Sequence, residues 1–91
     1  MILNNDQIKI FLVQHPAWSL AGDKLSKETS FADFDAAIKY VDAVAVIAGQ
    51  QQHHPDIDIR YNKVTLNTFS HDAGGITERD IKLVEALDNF R

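Results

Sequence analysis

The sequence predicts an α+β fold: a two-layer sandwich of order α-β-β-α-β-β-α, with three helices packed on one face of a four-stranded antiparallel sheet. Three observations carry this. Ile57, Ile59 and Tyr61 alternate with polar residues, and so do Val64 and Leu66 beyond an Asn62-Lys63 turn, which is the period of a hairpin. A long apolar stripe at helical spacing precedes that hairpin, and another short strand pair precedes the stripe. Hairpins separated by a helix favour an antiparallel sheet with its helices gathered on one side.

Each element has a local reason. Ile8, Phe11 and Leu12 follow helical spacing from Asn5, with Asn5 or Asp6 available to cap the start and Pro16 to stop the end. Trp18 to Leu20 and Lys24 to Thr29 flank a Gly22-Asp23 turn and read as the first hairpin. Ser30-x-x-Asp33 then precedes Phe34, Ala37, Ile38, Val41, Ala45 and Ala48, a capped amphipathic helix reaching toward Gly49. Its small residues Ala37, Ala45 and Ala48 suit close approach to a sheet. A polar loop from Ser70 to Gly75 leads to Thr77-Glu78-Arg79-Asp80 and to Leu83, Val84, Leu87 and Phe90, the last helix.

Composition narrows the function. The 91 residues fit one domain spanning 1–91, and 45% hydrophobic with 24% charged residues is ordinary globular composition. A chain this short buries only roughly 60 to 65% of its unfolded surface, so self-association would help it. The absence of cysteine excludes disulfides, thiolate nucleophiles and cysteine zinc sites. A net charge of -4 without a basic run argues against direct nucleic-acid binding. The longest apolar stretch, Ala43 to Gly49, is too short to span a bilayer, and the first residues lack a basic signal-like start. A soluble cytoplasmic protein is the expectation.

Four histidines are present, and His53, His54 and His71 fall where neither helix nor strand patterning asks for a core residue. The first two precede the third strand and the last follows the fourth, so pairing of those strands would bring them together. Asp80 stands on the inward stripe of the last helix, near its start, with its carboxylate aimed toward them. Each piece also has a plain structural reading. His53-His54 can be a solvated loop, His71-Asp72 an Asx-type turn, and Asp80 the acid of a Thr77-x-x-Asp80 capping box. His15 reads as packed or solvated, and Trp18 as either core or site. A metal is disfavoured, because adjacent histidines seldom reach one ion and no His-x-His or His-x-x-x-His spacing occurs. No serine sits in a nucleophile-elbow pattern. Proton transfer by imidazole remains, and it needs no cofactor.

Gln52-His53-His54-Pro55, Tyr61-Asn62-Lys63-Val64 and the run from Thr68 to Asp80 together resemble the pterin-4a-carbinolamine dehydratases, also called dimerisation cofactor proteins. Pro16-Ala17-Trp18 and Phe31-Ala32-Asp33-Phe34 are similar to the family's first strand and long-helix entry. The resemblance implies removal of water from 4a-hydroxytetrahydropterin to give quinonoid dihydropterin, in recycling of the cofactor of aromatic amino acid hydroxylases. It implies His53 and His71 as proton-transfer residues, Asp80 as the acid that orients or charges them, and His54, Pro55 and Trp18 as pterin-binding residues. It also implies a homodimer or homotetramer and, as an alternative function, a protein-binding coactivator role through a helix surface. One departure stands out. Four residues before His53, where many members carry Glu, this chain has Gly49, a residue that also suits a helix terminus.

Overall fold

A computed structural model of the chain describes residues 1–90. Helix α1 (Asn5–Gln14) is capped by Asn4, one residue before the expected Asn5 or Asp6. The Asn4 side chain accepts the Gln7 N–H at 2.9 Å, and the Gln7 side chain returns to the Asn4 N–H at 2.8 Å, so two otherwise unpaired donors are satisfied reciprocally. Strands β1 (Ser19–Ala21) and β2 (Lys24–Ser30) form the first hairpin, with Ala21 opposite Lys24 and Gly22 at φ 62° in the turn. Strand β1 begins one residue later than the pattern suggested.

Helix α2 (Phe34–Gln51) is capped by Asp33, whose carboxylate accepts the Ala36 N–H at 2.8 Å. Ser30, the expected start of the cap, is the last residue of β2 and pairs with Lys63, so its backbone is committed to the sheet. Gly49 does not end α2, which continues to Gln51. Gln52 closes it in the left-handed region at φ 53°, with the Gln52 N–H bonded to Gly49 O and the His53 N–H to Ala48 O. These two bonds are those of a Schellman closure, which here uses glutamine where glycine is usual.

Strands β3 (Asp56–Arg60) and β4 (Lys63–Thr68) form the second hairpin. Its turn is Tyr61-Asn62, with Tyr61 at φ 52°, one residue earlier than expected. Asn62 accounts for the shift: its side-chain amide donates to Phe31 O and its carbonyl accepts the Phe31 N–H, both at 2.8 Å, which ties the turn to the start of α2. The open sheet has order β1-β2-β4-β3, so the hairpins join through the β2–β4 ladder from Leu25↔Thr68 to Ser30↔Lys63. Helix α3 (Glu78–Asp88) completes the expected order.

Directly paired residues share a face, and this sorts the sheet. Leu25, Val64, Leu66 and Thr68 point inward and are buried with Ile8 of α1, Ala37, Val44 and Ala48 of α2, and Leu83, Val84 and Leu87 of α3. The other face carries Ser26, Glu28, Asp58, Lys63, Thr65 and Asn67. Ala37 and Ala48 make the close approach expected of them, whereas Ala45 is exposed. It lies about 100° round the helix from buried Val44, outside the inward stripe.

Candidate active site

Strand alternation continues past β4. After Val64, Leu66 and Thr68, the next inward position is Ser70, and both hydroxyl residues are buried. The first turn of α3 sets Asp80 against them. Thr77 caps this helix, and Asp80 Oδ2 accepts the Thr77 N–H at 2.9 Å in the expected capping box. The same carboxylate accepts Thr68 Oγ1 on Oδ1 at 2.5 Å and Ser70 Oγ on Oδ2 at 2.7 Å. It is fully buried, at 0% exposure.

A fourth partner arrives from α2. The Schellman closure fixes the His53 backbone, and the ring turns inward with Nε2 2.6 Å from Asp80 Oδ1 and 11% of the side chain exposed. Burial alone would push the Asp80 carboxyl up. The bonds from Thr68, the Thr77 N–H, His53 and Ser70 outweigh it and hold the carboxyl below the ordinary value. An ionised carboxylate only accepts, so the His53 hydrogen facing it is on Nε2, and Nδ1 is the ring's other proton-carrying position. The cap and the histidine-facing reading of Asp80 thus hold together: one carboxylate does both.

Among the described residues, the remaining expected site residues make no hydrogen bond to this pair. His71 is exposed in the Ser70–Gly75 loop, edge-on to the Phe69 ring at a centroid distance of 5.1 Å. His54 is exposed and Pro55 buried at the entry to β3. Among the described residues, neither His54 nor His71 hydrogen-bonds to His53 or Asp80; the open end of the β3–β4 hairpin is what carries all three histidines. Trp18 is 3% exposed, and its indole N–H donates to Asp88 Oδ1 at 2.9 Å. That bond sets it beside the C-terminal end of α3. His15 joins it there, with Nδ1 2.6 Å from Asp88 Oδ2 and its ring stacked on Phe11. A depression of about 340 Å³ beside the cap of α3 is lined by Met1, Ala73, Thr77, Glu78 and Arg79 and by none of the histidines. Among the described residues, no three His, Asp or Glu side chains gather as metal ligands.

Sequence reasoning placed Thr77 with Asp80 in a capping box but overlooked Thr68 and Ser70 as donors that hold the carboxylate. Their signal was available in the inward register of β4, where hydroxyls replace apolar residues at the last two positions.

Residues 1–90 match the family described as pterin 4 alpha carbinolamine dehydratase. The chain belongs to this family. A relative from Chloroflexus aurantiacus, provisionally named a pterin-4-alpha-carbinolamine dehydratase, is 46% identical over 88 residues, covering 97% of this chain and 95% of its own. A relative of the same provisional name from Nocardia farcinica is 44% identical over 89 residues, covering 98% and 94%. The crystal structure of a transcriptional coactivator/pterin dehydratase from Brucella melitensis superposes with a TM-score of 0.90 at 24% identity, over 97% of this chain and 96% of that one, and shares the fold. Members of the pterin-4a-carbinolamine dehydratase family are hydro-lyases, and this chain is an enzyme of that class. Among the described residues, no helix is long and apolar enough to cross a membrane.

Proposed function

We propose that the chain dehydrates pterin-4a-carbinolamine by histidine acid/base catalysis. The observation that carries this reading is the 2.6 Å bond between His53 and the fully buried Asp80. A carboxylate bonded to one ring nitrogen orients the imidazole and offsets the charge it carries when protonated at both nitrogens. The other nitrogen is then free to exchange a proton with a substrate.

The reaction breaks the C–O bond at the hydroxylated ring carbon and the N–H bond at the neighbouring ring nitrogen. The leaving hydroxide takes one proton and departs as water, and the nitrogen's proton goes to a base, giving the quinonoid dihydropterin. We assign His53 as the acid, through Nδ1, and His71 as the base; His54 binds the pterin, with Pro55 setting the backbone that presents it. Such a pair is worth roughly 10² to 10⁴ in rate for each proton transfer assisted. No bound cofactor is needed. The setting is the cytoplasmic recycling of a tetrahydropterin oxidised by aromatic hydroxylases.

Self-association belongs to the same reading. Ile57 and Ile59 on edge strand β3, and Phe34 and Val46 on α2, are exposed apolar side chains whose burial between copies would enlarge a small core. The same α2 surface favours, as the second reading, a protein-binding role independent of the histidines.

The deciding experiment follows the decay of freshly generated 4a-hydroxytetrahydropterin with and without the protein. Acceleration that His53→Ala and His71→Ala each reduce by about 10² supports the assignment. A decay rate unchanged by the wild-type protein rejects it. Light scattering that finds only monomer at micromolar concentration rejects the oligomer.

A further inference from the structure

Every hydrogen around Asp80 can be placed. The ionised carboxylate donates nothing, so Thr68 Oγ1, Ser70 Oγ, the Thr77 N–H and His53 Nε2 all donate to it. Ser70 has one hydroxyl hydrogen, and Asp80 takes it. The 2.7 Å contact between Ser70 Oγ and Thr77 Oγ1 therefore runs from Thr77 to Ser70, while Thr77 Oγ1 still accepts the Arg79 N–H at 3.3 Å. Donation converges on Asp80 from two sides, from Thr77 through Ser70 and from His53, and leaves none of the four side chains unsatisfied.

Ser70 also closes the loop that bears His71. Its N–H bonds to Gly75 O at 3.0 Å, and its carbonyl accepts the N–H groups of Ala73 and Gly74 at 3.1 and 2.9 Å. Its backbone thus shapes the segment carrying one histidine, and its side chain steadies the acid that holds another.

We infer that Thr68 and Ser70 are positioning residues: their hydroxyls keep Asp80 a pure acceptor, which holds His53 in the Nε2–H form and leaves Nδ1 to exchange the proton with the pterin. This inference rests on the function proposed above. The physics is a contest. Burial favours a neutral Asp80, the donors favour the anion, and the donors prevail. Remove the two hydroxyls and the balance tips toward a protonated acid, whose O–H donates to Nε2 and drives the ring hydrogen to Nδ1. The titratable groups facing Asp80 are His53, just past the end of α2, and, at longer range, Arg79 of its own helix.

The test uses the full chain with ¹⁵N-labelled histidine. Nitrogen NMR reads the His53 tautomer, and steady-state kinetics read kcat and KM, in wild type, T68V/S70A and the hydroxyl-restoring T68S/S70T. The expected result is Nε2–H in wild type, a shift toward Nδ1–H in T68V/S70A with kcat lower on the order of tenfold and KM little changed, and return of both in T68S/S70T. A folded T68V/S70A that keeps the wild-type tautomer overturns the inference, even if its stability is reduced. Should the double variant not fold, S70A alone is expected to show a smaller shift of the same sign, and an unshifted spectrum there overturns it as well. If wild type fails to accelerate pterin dehydration, the proposed reaction falls, and the nitrogen spectra still decide whether the hydroxyls set the ring.

Discussion

Asp80 and Asp88 stand at opposite ends of α3, and each holds a histidine ring nitrogen at 2.6 Å, yet only Asp80 is fully buried. Asp88 braces His15 and Trp18 where α1 meets α3, with Lys27 4.0 Å away. The similar pairs therefore have separable duties, and substitution separates them.

Asp80→Asn removes the pure acceptor from among four donors. It should lower kcat for pterin dehydration by about 10² and cost about 1–3 kcal/mol in unfolding free energy. Asp88→Asn should cost about 1–2 kcal/mol and leave the dehydration rate near wild type. Denaturant titrations and decay assays on both variants check this, and equal rate losses would contradict the division of duties.

Acid should weaken the fold through Asp80. Its folded carboxyl titrates below the ordinary carboxylate value, chiefly because hydrogen bonds from Thr68 and its other partners overcome the opposing effect of burial. In the unfolded chain it titrates near about 3.9. The stabilisation is thus complete above about pH 5 and is lost as pH falls through about 4 toward the depressed folded value. Urea midpoints taken from pH 6 down to pH 3 should drop more steeply for wild type than for Asp80→Asn. Asp72 is also held low, by its bond to Arg79, but it is exposed and screened, so Asp72→Asn should leave the slope nearly intact.

Gly49→Ala should stabilise the protein by about 1 kcal/mol, raising the melting temperature by roughly 4–8 °C. Gly49 lies inside α2, and a Cβ built there meets no atom within 4 Å. A change in the opposite direction would mean that the last turn of α2 tolerates no side chain.

Much of the fold was legible because period two and period 3.6 each mark one buried face, as at Val64–Leu66 and Ala37–Ala48. The misreadings cluster at termini, where several residues compete for one local task. Asn4 caps α1 because Gln7 can return the bond. Asp33 caps α2 because Ser30 is held by Lys63. Gly49 looked like a helix stop because glycine usually takes the left-handed position that Gln52 occupies. The Asp80–His53 pair was partly legible from the inward stripe of α3. Its hydroxyl donors were not, because Ser70 read as the start of a polar loop and Thr68 as no part of the site until strand alternation through and past β4 turns both inward. Trp18 was ambiguous since its indole N–H partner lies at the far end of the chain, in Asp88.

His53 belongs to two helices at once: its main-chain nitrogen finishes one and its ring is gripped from the beginning of another. Fraying of that single terminal turn would unhook the imidazole while the rest of the molecule stayed intact. On warming, loss of turnover should therefore run several degrees ahead of the melting curve, and a ligand that clasps the ring would pull the two transitions back together.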